Sequence, residues 1–307
     1  MVDDKFFLMR LTLRQFLLLS SIDECGSLKK AALRVGTSQP QATKALQDIE
    51  YLLNRQLFNR TNRGMKATTA GECVIRHART ILSQANNLQE ELQYIARGNW
   101  AKLRIGTIMG AVPIVTDAIK LFITKNPNTS VEIIEDTSIE LFRQLDRSSL
   151  DLIIGRSLVS ETPDIYNIFT FYDETLTVIA NPCHPLVRSK KLTLIDLSKS
   201  RWIVYTNQMP MRISLEHEYR LEGITFPRTL IETRSAFATM SLIQSDSNYI
   251  ALLAKDVADF FINFGIAKAL NFKLKSKSEP YEIITPKNIA LPPAANDFIN
   301  TLIKQVT

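Results

Sequence analysis

SLKKAALRVGTSQPQATKALQDIEYLLNRQLFNRTNRGMKATTAG, residues 27–71, decides how the rest of this 307-residue chain is read. Ser27 is placed to cap a short helix with inner face Leu28, Ala31, Ala32 and Val35, and small alanines let another helix approach closely. Gly36 and Thr37 form a tight turn. Ser38 is a second cap, and Pro40 falls in the first turn of the next helix, where its missing N–H costs nothing. That helix runs to about Leu53, with Ala42, Ala45, Leu46, Ile49 and Leu53 inward and Gln39, Thr43, Lys44 and Gln47 outward. A short helix, a glycine turn and a longer helix with amides, a hydroxyl and a lysine on its outer N-terminal face is a helix-turn-helix pattern. Such a helix fits the major groove of a duplex, and its N-terminus favours phosphate. Leu57 and Phe58 then read as core anchors. Arg60, Asn62, Arg63, Gly64 and Lys66 read as a hairpin tip, followed by Thr68, Thr69 and Gly71. A basic hairpin beside a recognition helix is a wing, suited to the backbone or the minor groove. Upstream, residues 12–24 carry Leu13, Phe16, Leu17, Leu19 and Ile22 at helical spacing and stop at Gly26.

Charge supports the same reading. The chain carries +6 overall, and the 41 residues from Gly26 to Lys66 hold eight bases against Asp48 and Glu50, so the remainder sums to about zero. A local cationic patch on a small N-terminal unit is either a solvated basic face or the footprint of a phosphate-backbone binder, and the helix-turn-helix pattern favours the second.

These 45 positions resemble the N-terminal module of LysR-type transcriptional regulators. The shared features are Ala31-Ala32, Ser38-Gln39-Pro40, Leu57-Phe58 followed by Arg60, Arg63-Gly64, and Thr68 with Gly71. Gly36 stands where a bulkier residue is common, and Thr43-Lys44 replaces the frequent Ser-Arg while keeping a hydroxyl and a cation. The expected DNA contacts are Ser27, Lys29 and Lys30, then Ser38, Gln39, Pro40, Thr43, Lys44 and Gln47, then Arg60, Asn62, Arg63 and Lys66.

Beyond the hairpin, Val74, Ala78, Ile81, Ala85, Leu88, Leu92 and Ile95 recur in alternating steps of four and three. This is a heptad seam on a helix of about 40 Å, which suits a partner helix; the other reading is an amphipathic helix packed on its own domain. The resemblance implies that this is the family's linker helix, pairing two DNA-binding units over a pseudo-palindromic site and building a homodimer and then a homotetramer. Gly98-Asn99 reads as the hinge. The expected domains are therefore 1–69, a winged helix-turn-helix; 70–98, the dimerisation helix; and 99–307, the regulatory part.

From residue 101, KLRIGTI, SVEIIED and DLIIGR read as strands alternating with helices, which predicts a mostly parallel sheet. TLTVIAN, RWIVY and TLIET read as strands of another lobe, and AFATMSLIQSD, VADFFINF and ANDFINTLIKQV as helices. The expected fold class is thus a mainly α winged helix-turn-helix, a long linker helix and a two-lobed α/β domain. The resemblance extends here more weakly, through the His184-Pro185-Leu186 turn and Asp196-Leu197. It implies an effector domain built like a periplasmic binding protein. Ligands of open α/β sheets bind beyond the carboxyl ends of strands. On that footing Thr107, Ile108, Met109, Thr137, Ser138, Tyr205, Thr206, Asn207 and Ser235 are the expected effector contacts. Each is equally readable as a plain helix cap or loop residue. Arg156 and Arg234 are possible anion partners, and also ordinary ion-pair formers. Hydroxyls and helix-start amides suit a carboxylate or another oxygen-rich ligand.

A rival reading makes residues 101–307 an enzyme or a transport-type binding protein, with the basic N-terminus as an oligomerisation arm. Cys25, Cys73 and Cys183 are odd in number and far apart, and His77, His184 and His217 are isolated. There is no HExxH, GxSxG, P-loop or GxGxxG. A non-enzyme is expected, without metal or cofactor and with a small-molecule effector of unknown identity. No apolar run approaches membrane-spanning length and no signal peptide is read, so a cytoplasmic location away from membranes is expected.

Overall fold

The computed structural model describes residues 11–61, 64–96, 101–207, 209–276, 278–287 and 289–306. Residues 1–102 with 143–150 form one compact unit, and residues 103–142 with 151–307 form a second.

The first unit begins with α1 (Leu13–Cys25), α2 (Leu28–Arg34) and α3 (Gln39–Leu53). Thr12, Ser27 and Ser38 cap the three helices by accepting from Gln15, Lys30 and Gln41 backbone N–H groups. At Ser38 the cap is reciprocal, because the Gln41 side chain accepts from the Ser38 N–H. β1 (Phe58–Thr61) and β2 (Gly64–Ala67) pair antiparallel as the expected hairpin, and α4 (Thr69–Ala96) follows. Leu18, Leu19, Ile22, Leu28, Ala31, Ala32, Ala42, Leu46, Ile49, Leu57, Phe58 and Ile75 form one core. Each fully buried Leu or Ile contributes roughly 1.5–3 kcal/mol.

Two expectations about these helices need correction. On α1 the buried face is Leu18, Leu19 and Ile22, while Leu13 and Leu17 are exposed. The two stripes lie side by side on the helix, and the spacing alone does not say which one α3 and α4 cover. On α4 the heptad seam is divided. Ala78 is fully buried within its own chain and so is not available to a partner, and Val74 packs half-buried on the head's core. Ile81, Leu88 and Leu92 are exposed and Ala85 is half-buried. The Ile95 side chain lies outside the described residues.

The second unit holds two sheets. One has the strand order β4-β3-β5-β12-β6 and the other β11-β7-β10-β8-β9. The first comprises β3 (Ala101–Thr107), β4 (Thr129–Glu135), β5 (Leu152–Gly155), β6 (Tyr166–Tyr172) and β12 (Tyr281–Pro286). Its helices are α5 (Val112–Lys125), α11 (Pro293–Val306) and the first part of α6 (Ser138–Asp146), up to Phe142. Phe122 of α5 meets Phe298 of α11 edge-on at 5.8 Å. The second sheet comprises β7 (Leu176–Ala180), β8 (Arg201–Val204), β9 (Leu230–Glu232), β10 (Tyr249–Ala254) and β11 (Lys268–Ala269). Its helices are α7 (Leu194–Ser198), α8 (Pro210–Leu221), α9 (Ala236–Ser245) and α10 (Lys255–Asn263).

The expectation of a mostly parallel sheet is corrected, since both sheets are mixed. β3 and β5 run parallel, but β12 runs antiparallel to both β5 and β6. β8 runs parallel to β9 and β10, while β7 is antiparallel to β10 and β11. β6 and β12, not read as strands in the sequence, close the first sheet. The chain therefore crosses between lobes twice, at 173–175 and again between β11 and β12.

Candidate nucleic-acid interface and interlobe junction

The head presents its polar side chains as the sequence predicts. Gln39, Pro40, Lys44 and Gln47 are exposed along one side of α3, and Thr43 is half-buried with its hydroxyl donating to the Gln39 carbonyl at 2.9 Å. The Ser38 hydroxyl donates to Gln41 Oε1 at 3.1 Å besides accepting from the Gln41 N–H at 3.4 Å. Ser27 likewise serves as the cap of α2. Both serines therefore shape the helix starts, and the Gln41 side-chain oxygen is engaged in the cap while the residue stays exposed. Lys29, Lys30, Lys44, Arg60 and Lys66 are exposed and carry no ion pair among the described residues. Arg34 is different, because its Nη1 lies 2.5 Å from Glu24 Oε2, an acid just outside the 26–66 stretch. Asn62 and Arg63 lie outside the described residues.

Glu50 has a role that the charge count hides. Its Oε1 accepts from the Leu57 N–H at 2.7 Å and from the Phe58 N–H at 3.2 Å. One carboxylate on α3 thus fastens the start of β1. The other strand is fastened by the Met65 N–H, which donates to the Gly26 carbonyl at 2.9 Å. At Gly71 a Cβ would sit inside the van der Waals radius of the Leu57 carbonyl oxygen, so only glycine lets α4 pass this close to the hairpin. Arg79 of α4 then pairs with Asp23 of α1 at 2.8 Å.

The effector candidates fare differently. Thr107 is fully buried and its hydroxyl donates to the Ile108 carbonyl at 3.2 Å. Ile108 and Met109 are also buried. Thr137 Oγ1 accepts from the Glu140 N–H at 3.4 Å, and Ser138 Oγ from the Arg156 N–H at 3.2 Å. Ser235 caps α9 by accepting from the Ala238 N–H at 3.2 Å. Thr206 is half-buried and Asn207 exposed. Met109 and Tyr205 do come together, from different lobes. Met109 packs in the second lobe's core, and the Tyr205 hydroxyl donates to its Sδ at 3.6 Å. Burial, reinforced by Glu174 and Glu135, pushes the Tyr205 hydroxyl far above its ordinary range, so it stays a donor. Burial beside Asp136 also raises Glu135.

Glu174 escaped sequence reading altogether. It lies in the first crossover, its side chain is 0% exposed, and Arg156 Nη2 approaches its Oε2 at 2.6 Å. The Tyr281 hydroxyl donates to Oε1 at 2.5 Å, and the Ser278 hydroxyl donates to Oε2. A single acid before an apolar strand carries no mark of this in one sequence. Arg156 forms an ion pair, as one of its two readings allowed, but a buried one. Arg234 is exposed. Among the described residues no group of three or more His, Cys, Asp and Glu is placed to hold a metal ion, and no helix is long and apolar enough to cross a membrane.

Comparison with known proteins gives two family matches. Residues 13–72 match the bacterial regulatory helix-turn-helix protein, lysR family, and residues 96–307 match the LysR substrate binding domain. A similar relative is the HTH-type transcriptional regulator GbpR of Azospirillum brasilense, 30% identical over 97% of this chain and 87% of the relative. The probable RuBisCO transcriptional regulator of Cyanidium caldarium is 29% identical over 80% of this chain and 79% of its own. Among solved structures, full-length CbnR complexed with its target DNA matches with a TM-score of 0.62 at 19% identity, covering 97% of this chain and all (100%) of that one.

Proposed function

The chain belongs to the LysR family of DNA-binding transcriptional regulators, and from that premise we propose how its parts divide the work. The head binds double-stranded DNA with the outer face of α3 in the major groove and the β1–β2 hairpin along the backbone or minor groove. The observation that carries this is the set of five exposed cations, Lys29, Lys30, Lys44, Arg60 and Lys66, gathered on α2, α3 and the hairpin without acidic partners among the described residues. Gln39, Thr43 and Gln47 are the base-reading candidates, and Asn62 and Arg63 extend the hairpin's contacts. Two copies pair through the part of α4 that its own head leaves open, Ile81, Leu88 and Leu92, over a pseudo-palindromic site, and two such dimers form the tetramer.

Residues 99–307 hold no catalytic role in this reading and bind a small-molecule effector, without a metal or a resident cofactor. Thr206 and Asn207 keep side chains available beside the Met109–Tyr205 contact. An effector favouring one lobe arrangement shifts the population of DNA-binding states. Such a regulator works in the cytoplasm. The test is anisotropy on the chain's own upstream DNA against an unrelated duplex. Arg60→Ala should weaken both and flatten the slope of log affinity against log salt by about one. Gln39→Ala should change which base pairs are preferred. An unchanged salt slope in the first variant, or no preference for upstream DNA in the parent, overturns the assignment.

A further inference from the structure

The second unit contains a built carboxylate site that the chain fills itself. Three donors converge on it: the Arg156 guanidinium from the end of β5, the Tyr281 hydroxyl from the start of β12, and the Ser278 hydroxyl from the second crossover. Arg156 and Tyr281 are 4% and 0% exposed. Arg156 also lies over the Tyr281 ring, 5.5 Å from its centroid. At Gly110, just before α5, a Cβ would lie 2.8 Å from Glu174 Oε1 and would strike the Tyr281 hydroxyl. A residue without a side chain is what leaves room for the carboxylate.

We propose that Arg156, Ser278 and Tyr281 form an anion site for a carboxylate, and that Glu174, reaching in from the first crossover, occupies it as an internal ligand. The occupant is covalently part of the segment that joins the lobes. Ser278 belongs to the other joining segment, so one carboxylate holds both crossovers against the first lobe. The arrangement also sets the chemistry left for an effector. Arg156 is engaged and surrounded, so an effector's anionic group does not meet it while Glu174 is in place. A donor-rich, water-excluded site of this kind binds carboxylates through charge-assisted hydrogen bonds. Without Glu174 the Arg156 guanidinium keeps only its Nε bond to the Glu279 carbonyl at 3.4 Å and the Glu279 carboxylate at 4.0 Å, and a poorly paired buried guanidinium is costly.

Removal of the internal ligand should therefore create a site for an external one. The experiment is thermal unfolding of full-length Glu174→Ala in about 100 mM formate or acetate against chloride at matched ionic strength. The variant should unfold well below the parent in chloride and recover by about 2–4 °C or more in formate. The parent and the double variant Arg156→Met/Glu174→Ala should show no difference between the salts. If Glu174→Ala does not fold in chloride, soluble yield on refolding with and without formate reads the same comparison. Equal behaviour in formate and chloride overturns the proposal, as does an equal gain in the double variant, which would place the carboxylate elsewhere.

Discussion

The head and the interlobe junction are both sites where side chains from distant positions meet, yet they are built in opposite ways. In the head, the cations assigned to DNA are exposed on α2, α3 and the hairpin and carry no ion pair among the described residues. In the junction, Arg156, Glu174, Ser278 and Tyr281 come from separate positions in the chain, are buried or half-buried, and bond to one another. Selection for contact with a long polyanion leaves charge on a surface, where sequence periodicity registers it. A hinge that must hold two lobes needs its charges sequestered, and burial of a paired carboxylate follows no period. The contrast predicts that substitutions in the two regions fail differently: the junction through stability, the head's surface through binding.

The largest effect belongs to the junction. Arg156→Met strands the Glu174 carboxylate among the Tyr281 and Ser278 hydroxyls with no cation. Breaking a buried pair on one side costs about 3–5 kcal/mol. The measurement is denaturant unfolding of the full chain, and a loss under about 1 kcal/mol would mean that water reaches the carboxylate. The double change Arg156→Met/Glu174→Leu should recover much of the loss, because two apolar groups leave no orphan charge.

Gly71→Ala sharpens the comparison inside the head, away from DNA-facing residues. Helix propensity alone predicts a gain of about 1 kcal/mol from alanine in α4. The backbone geometry predicts the reverse, since the new methyl would overlap the Leu57 carbonyl. A loss of about 1–3 kcal/mol is expected in thermal or urea unfolding, with the salt slope of residual DNA binding unchanged. A stabilised variant would show that α4 can shift away from the hairpin.

That case also shows how far the sequence could be read. The capping serines, the Ala31-Ala32 contact, α3's inward set and the hairpin were legible because each is a local rule expressed within a few residues. The α1 face was not, because Leu13 and Leu17 share the helix with Leu18, Leu19 and Ile22, and the choice between stripes is made by α3 and α4. In the second unit DLIIGR was legible as a buried strand. YNIFTFY and YEIITP were passed over, and they pair only after the chain has left the first lobe and returned. The effector candidates were placed by strand-end logic, which does not give the direction of a hydroxyl. Thr107 and Ser138 stand at their strand ends with their oxygens already engaged.

The divided seam of α4 offers a test of intermediate size. Leu88 and Leu92 are 59% exposed, while Ala78 on the same seam is fully buried within its own chain. Leu88→Glu/Leu92→Glu should weaken self-association at least tenfold, about 1.4 kcal/mol, in sedimentation or mass photometry. The unfolding midpoint of the head should not move. Unaltered association would remove the outer half of α4 from the interface. Changing Ala78 to Glu should instead unfold the head, and the two outcomes together would locate where intramolecular packing stops along the helix.

The smallest effect is a slope rather than a step, and it lies in the second lobe at His184. Its Nδ1 accepts from the Leu186 N–H at 3.1 Å, which places the neutral ring's proton on Nε2, 3.2 Å from Ser200 Oγ. Burial lowers its pKa below the ordinary value of about 6.5. The folded state therefore binds this proton less readily than the unfolded chain does. The stability that the neutral ring contributes is fully present above about pH 6.5 and is lost as pH falls through the depressed folded value. Protonation also turns Nδ1 into a donor facing the Leu186 N–H, so the cap and the charge fail together. His184→Gln keeps a polar side chain and removes the titration. Between pH 7.5 and 5 the parent should lose more stability than the variant, and the two curves should converge toward acid. Parallel curves would show that the protonated ring finds solvent without disturbing the turn.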